Sequence, residues 1–268
     1  MTVDDDGLAQ QFEAQRGHLR AVAYRMLGSL SEADDAVQEA WLRLSRTDAA
    51  VQNLAGWLTT VVGRICLDML RLRTARREDA LDTHVPDPVV SGPDGTDPEY
   101  QAVQADSVGL ALLVVLDTLA PAERLAFVLH DLFGVPFDDI APIVGRTSNT
   151  AAQLASRARR RVRGAAMPDP DLGRQRQVVD AFLAASRAGD FEALLALLDP
   201  DVLLRPDRGA AAVTELIRGA QNVARTALMF AQAAMTPNRV LVNGGLGVLS
   251  TSDGRPVSLL AFTISGGR

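Results

Sequence analysis

The residues of this chain best suited to chemistry are polar and basic side chains at helical spacing, and the chemistry they suit is recognition of nucleic acid. In PFDDIAPIVGRTSNTAAQLASRARRRVR, residues 136–163, Phe137, Ile140, Ala141 and Val144 form a short apolar stripe. Gly145 permits a tight turn, and Thr147 or Ser148 can cap a second helix. In that second helix Ala151, Leu154, Ala155, Ala158 and Val162 face inward, leaving Asn149, Gln153, Ser156, Arg157 and Arg160 outward. Two short helices about a glycine turn make a helix-turn-helix. Its early polar side chains can reach base edges, and its later guanidiniums suit phosphates. The plainer alternative is a surface helix with a solvated basic face.

A second group lies upstream. In SEADDAVQEAWLRL, residues 31–44, one stripe is Ala33, Ala36, Val37, Ala40, Trp41 and Leu44. The opposite face carries Asp34, Asp35, Gln38, Glu39 and Arg43, which fits either a protein partner or plain solvent. Ser31 reads as the N-cap of this helix, with Asp34 in the capping-box position. The next stretch, LAGWLTTVVGRICLDMLRLRTARR (54–77), carries Arg64, Arg71, Arg73, Arg76 and Arg77 against one acid, Asp68. These arginines suit nucleic acid, but snorkelling surface arginines look the same. Single-strand capture commonly uses aromatic stacking, and only Trp41 and Trp57 are near. A pocket in the polar 45–53 loop is the better candidate for holding an unstacked base.

Charge is segregated to match. Net charge is −6, and all 27 basic residues are arginine. Residues 57–77 hold five arginines and one acid, and residues 145–164 hold six arginines and no acid. Between them, residues 78–107 hold eight acids and no basic residue. Blocks of opposite sign imply separate binding tasks, so the acidic average is misleading. The one cysteine, Cys66, argues against an internal disulfide and a Cys-based zinc site. No apolar run approaches the roughly 18 residues of a membrane span, and MTVDDDGLAQ lacks signal-peptide features. A cytoplasmic protein of two or three domains follows, with no membrane partner, no metal and no cofactor.

The elements that must position these residues are mostly helices. Phe12, Leu19, Val22, Ala23, Met26 and Leu27 keep a helical period up to Gly28. A third helix from Leu54 to about Arg73 should bury Leu58, Val61, Val62, Ile65 and Leu72. The Pro- and Gly-rich 78–104 segment should be extended and poorly ordered alone. Helices resume over 108–119 and 122–132, with Pro121 suited to a first turn. Beyond a second linker, 167–173, helices are expected at 174–188 and 191–198. Strands are expected at 202–205, 239–243, 246–250 and 257–264, with Asn243-Gly244 and Asp253-Gly254 as hairpin turns.

The two motif blocks, in this order, resemble conserved regions 2 and 4 of extracytoplasmic-function sigma factors. AERLAFVLHDLFGVPFDDIAPIVGRT and QLASRARRRVR carry the region 4 likeness, and the match spans about residues 8–165. The resemblance implies that Asp35, Gln38 and Glu39 dock on the β′ clamp helices of core RNA polymerase, with the β flap as a further contact. It implies that Trp57, Arg64, Arg71, Arg73, Arg76 and Arg77 hold the −10 element of promoter DNA. Ser148, Asn149, Gln153, Ser156, Arg157 and Arg160 would contact the −35 element. The acidic linker would thread the basic channels of the polymerase.

The remainder begins QVVDAFLAASRAGDFEALLALLDPDVLLRPD and resembles a SnoaL-like (NTF2-like) α+β cone domain, which some of these factors carry as a C-terminal fusion. It departs from the fused family at HVPDPVV in the linker, at Ala152, and at the terminal SGGR, where a further strand is expected. That last departure puts the naturalness of this end in question. His18, His84 and His130 all lie outside this domain, which also lacks Tyr, Cys and Lys. Asp180, Asp199, Asp201 and Asp207 remain, and Asp201 beside Pro200 is turn chemistry. Catalysis is not expected, although the domain's cavity leaves room for an unidentified small ligand. His130 has no second metal ligand at suitable spacing.

The expected organisation is thus multi-domain: an all-α region 2 (1–77), an acidic linker (78–107), an all-α region 4 helix-turn-helix domain (108–166), a linker (167–173) and an α+β SnoaL-like domain (174–268). The last is expected to pack in cis and set how open the DNA-binding domains lie. The competing readings are a polymerase-independent helix-turn-helix regulator and a SnoaL-like cyclase or isomerase.

Overall fold

The computed structural model describes residues 3–47, 51–76, 85–92, 109–164, 168–207, 215–231 and 235–268. The chain divides into two compact units, residues 1–81 with 112–165 and residues 82–111 with 166–268. The two helical segments thus share one unit, and the segment between them belongs with the C-terminal residues.

In the helical unit, α1 (Val3–Leu27) ends where Gly28 takes φ +73°. α2 (Leu30–Leu44) buries Ala33, Ala36, Val37, Ala40 and Leu44, as its period predicts. Its N-cap is Ser29 and not Ser31, and the expected capping box does not form. Asp34 is instead drawn outward to Arg20, at 2.8 Å. α3 (Leu54–Arg76) buries Leu58, Val62 and Ile65, and also Cys66, Leu67 and Leu70. Val61 is half-buried and Leu72 is 56% exposed, against expectation. The single-stripe reading failed because α3 packs on two sides, against α1 and α2 and against the later helices. Leu72 falls on the remaining outward face with Arg64, Asp68 and Arg71.

α4 (Leu110–Asp117) and α5 (Pro121–Phe127) follow, with Pro121 in the first turn as expected. α5 continues into a π-helical turn, Val128–Leu132, which the sequence did not announce. Contact with α3 is close at Gly63, where an added Cβ would stand 3.2 Å from Leu129 Cδ1 and 3.4 Å from Leu125 Cδ1. A Cβ there would require these two leucine side chains to shift by a few tenths of an ångström. Two buried arginines join the halves. Arg124 of α5 donates from Nε to the Arg25 carbonyl of α1 at 3.1 Å, and pairs with Asp117. Arg25 in turn lies 4.9 Å over the Phe133 ring. Burial pushes the Arg124 guanidinium down from its usual value, and Asp117 beside it pushes back. The same burial pushes the Cys66 thiol up to about 12.

The C-terminal unit is helical first and then a curved sheet. It follows α6 (Phe137–Val144) and α7 (Ser148–Arg163), which belong to the helical unit. α8 (Leu172–Ala188) starts at Asp171, whose carboxylate accepts from Gly173 N and Arg174 N. α9 is Phe191–Leu197, capped by Asp190. Short strands β2 (Leu203–Leu204) and β3 (Ile217–Arg218) pair antiparallel. α10 (Ala220–Ala231), like β3, was not foreseen. The main sheet has the order β1-β4-β5-β6, with β1 Val90–Ser91, β4 Thr236–Val242, β5 Gly245–Ser252 and β6 Arg255–Ala261. Both foreseen hairpin turns form, with φ +50° at Asn243 and Asp253. α8 covers one face of the sheet through Val179 against Leu246, Val248 and Ile264. A second cluster, Phe182, Ala185, Leu194 and Ala224, joins α8, α9 and α10.

β1 comes from the acidic linker. It pairs antiparallel with β4, Val90 opposite Val242 and Ser91 opposite Leu241. Asn243 holds its neighbour from both sides: its N–H donates to the Val89 carbonyl at 2.9 Å, and its Oδ1 accepts from Val89 N at 3.0 Å. The linker is extended here, as expected, but it has a partner. The remainder of the 78–104 segment, on which the expected poor order bore, lies outside the described residues.

Candidate nucleic-acid interface

The helix-turn-helix forms from local rules. α6 buries Ile140, Ala141, Ile143 and Val144, and Phe137 stacks on the His130 ring at 3.8 Å between centroids. His130 is thus packed, with Nδ1 3.0 Å from the Val135 carbonyl. Gly145 ends α6 at φ +66°, a conformation costly to any residue with a Cβ. Thr147 then caps α7, accepting from Thr150 N. Ala151, Ala155 and Ala158 are fully buried. These small residues let α7 sit close on α5 and α6 and turn its long side chains outward.

Asn149, Gln153, Ser156, Arg157 and Arg160 are all exposed. Among the described residues, the Asn149, Gln153, Ser156 and Arg160 side chains make no hydrogen bond or ion pair, so their donors and acceptors are available. Ser148 is half-buried and donates to Asp138 of α6, which ties the first turn of α7 to its neighbour. Arg157 is held 4.0 Å from Glu123.

On α3, Arg64 and Arg71 are exposed, Arg71 lying 3.5 Å from Asp68. Arg73 turns inward: it pairs with Glu32 and donates to the Leu27 carbonyl at 3.2 Å, clamping α3 to α2 and the end of α1. Its guanidinium is occupied by the fold, unlike that of Arg64, which makes no ion pair among the described residues. Trp57 is half-buried. The Arg76 side chain, Arg77 and part of the 45–53 loop lie outside the described residues. Trp41, read as core, is half-buried 5.0 Å from Phe12. On α2, Asp35 and Gln38 are exposed and unpaired among the described residues, while Glu39 is paired with Arg43 at 2.9 Å. The three do share one outward face.

Glu123 and Arg161 form an ion pair that sequence reasoning did not foresee. Their link joins residues 38 apart on different helices, and no periodicity signals it. Among the described residues, no three His, Cys, Asp or Glu side chains stand together as metal ligands. No described helix is long and apolar enough to cross a membrane. In the C-terminal unit an open hollow of about 450 Å³ lies between α9 and the start of α10, near Leu195, Leu198, Pro200 and Asn222.

A family model described as Sigma-70 region 2 matches residues 12–77, and one described as Sigma-70, region 4 matches residues 109–162. The chain is 43% identical over 249 residues to the ECF RNA polymerase sigma factor SigJ of Mycobacterium tuberculosis, covering 88% of this chain and 79% of that protein. It is 40% identical over 204 residues to the probable ECF RNA polymerase sigma factor SigI of the same species, covering 74% and 69%. The crystal structure of Mycobacterium tuberculosis extracytoplasmic function sigma factor SigJ matches with a TM-score of 0.75 and 39% identity, over 97% of this chain and 93% of that one.

Proposed function

The chain belongs to the extracytoplasmic-function RNA polymerase sigma factors, and from that premise we propose how its residues divide the work of transcription initiation. It is a DNA-binding sigma factor with region 2 and region 4 domains. Such factors act with core RNA polymerase at promoter DNA. The finer assignment is the following. Asp35, Gln38 and Glu39 dock on the β′ clamp helices, and region 4 lies against the β flap. Trp57, Arg64 and Arg71, with Arg76 and Arg77, hold the −10 element, while Arg73 acts indirectly by fixing α3. Asn149, Gln153 and Ser156 read −35 base edges, and Arg157 and Arg160 bind phosphates. Ser148 contributes by anchoring the first turn of α7.

The observation that carries this reading is the outward face of α7. It presents unpaired amide, hydroxyl and guanidinium groups from a helix seated on a left-handed glycine turn. A base-edge contact of this kind is worth about 1–3 kcal/mol of discrimination. The place of action would be the cytoplasm, where the polymerase is, and no catalytic role is assigned.

The C-terminal unit, a helix-covered curved sheet, is read as a SnoaL-like domain that modulates the factor in cis. Support comes from β1: the segment joining region 2 to region 4 is a strand of its sheet. A domain that grips this connection can govern how far the two regions separate.

The test is run-off transcription by core polymerase with the full chain, alongside a double variant Asp35→Arg, Glu39→Arg. The wild-type chain should give a promoter-specific start, and the variant should lose core binding while keeping its melting temperature. Promoter binding that neither needs core polymerase nor responds to the variant would favour a polymerase-independent regulator.

A further inference from the structure

α7 carries arginines at 157, 159, 160, 161 and 163, and the structure treats them differently. Arg160 lies near the middle of the outward face and makes no ion pair among the described residues. Arg163, in the last turn, likewise makes no ion pair among the described residues. Arg157, Arg159 and Arg161 sit toward the flanks, at about 100° of rotation per residue, and each lies beside a carboxylate. Arg159 pairs with Asp131 on one side. On the other, one carboxylate faces two arginines: Glu123 Oε2 accepts from Arg161 Nη1 at 3.1 Å, and Arg157 Nη1 stands 4.0 Å from Glu123 Oε1, within ion-pair distance but beyond hydrogen-bond reach. Arg161 Nη1 also reaches the Thr118 carbonyl at 3.5 Å.

Glu123 sits in the first turn of α5 and its side chain is only 9% exposed, whereas those of Arg157 and Arg161 are 57% and 54% exposed. The carboxylate is therefore fixed by the core, and the guanidiniums reach from it into solvent. Each arginine offers five N–H donors, and the nitrogen nearest Glu123 is Nη1 in both. Nε and Nη2 keep their donors for a second anion. A free arginine loses rotamer freedom when it binds a phosphate, and one already held loses less.

We propose that Glu123 is a positioning residue for promoter recognition, holding Arg157 and Arg161 pre-oriented toward DNA phosphates at the edge of the recognition helix. This rests on the reading of α7 as the −35 helix, and it adds Arg161 to that surface. Phosphate contacts set the register of a protein on its duplex, so Glu123 acts on sequence discrimination through the docking angle of α7.

The experiment uses the full chain assembled with core polymerase. Binding to the cognate −35 promoter and to a scrambled −35 duplex is measured across a salt series, with melting curves in parallel. Glu123→Gln keeps the shape and removes the charge. It should lower the cognate-to-scrambled ratio by about tenfold, the scale expected from freeing two ordered side chains. A carboxylate that merely satisfies the core would change the melting temperature and leave that ratio alone. In an Arg157→Ala, Arg161→Ala background, Glu123→Gln should have no further effect on the ratio. Glu123→Asp, which keeps the charge on a shorter arm, should fall between wild type and Glu123→Gln, and it stands in should the latter fail to fold. An unchanged ratio in both, or an equal loss in the arginine-free background, overturns the proposal. Arg160→Ala separates the two levels: if it changes neither affinity nor salt slope, the −35 reading of α7 falls; if it lowers both while Glu123→Gln leaves the ratio unchanged, only the role of Glu123 falls.

Discussion

At the scale of single residues, the face of α7 divides into groups that should fail differently. Arg160→Ala should lower the salt dependence of promoter binding by about one unit of slope, weakening all sequences alike, and Arg157→Ala should lower the slope similarly while also narrowing the cognate-to-scrambled ratio. Asn149→Ala and Gln153→Ala should leave the slope and alter base preference at single positions, by roughly 1–3 kcal/mol. Binding isotherms on a panel of single-base −35 variants check both, and a uniform response from all four would remove the division. Cys66 gives a second prediction. Its thiol is fully buried and pushed up to about 12, so at pH 8 the reactive thiolate is scarce. Maleimide should label the native chain on the order of a thousandfold more slowly than the urea-unfolded chain, whose thiol returns to about 8.5. Fast labelling of native protein would show that the α3–α5 contact opens readily. The outward α7 residues were legible in sequence because alanines at 151, 155 and 158 fix the inner side. The inward turn of Arg73 was not, because it depends on Glu32, far away along the chain.

At the scale of elements, periodicity found the helices with one dominant buried side and misjudged those with two. α2 was read almost residue by residue, whereas α3, packed on both sides, hid Cys66, Leu67 and Leu70 and exposed Leu72. The π-helical turn after α5 and the pairing of β1 with β4 left no local mark. β1 is two residues long, and its bonds come from a turn far downstream. That turn is the place to test the grip on the linker. Asn243→Ala removes the Oδ1 acceptor for Val89 N and puts a poor residue at φ +50°. It should cost about 1–2 kcal/mol locally and release residues 89–91. Hydrogen exchange should show protection lost at Val89 and retained across β5 and β6. Retained protection at Val89 would mean that the strand pairing alone holds the linker.

At the scale of the whole chain, the division into two units sets what a truncation should do. The helical unit is built from residues 1–81 and 112–165, with its own buried arginines and core. Removing residues 168–268 should leave it folded and able to bind core polymerase, while changing promoter activity several-fold, because the linker loses its partner strand. Transcription assays with the shortened chain, alongside its helical circular dichroism, check this. Unchanged activity with an intact fold would leave the C-terminal unit without a regulatory role. The pairing of Val89 with Asn243 also spans 154 residues, and it orders events during synthesis. At about 5–20 residues per second on the ribosome, the linker emerges roughly 10–30 seconds ahead of the turn that will hold it. The helical unit is completed within that interval. Each new copy thus passes through a stage in which the helical unit is complete and its connecting segment has not yet met its partner strand, so that pairing is the last to form.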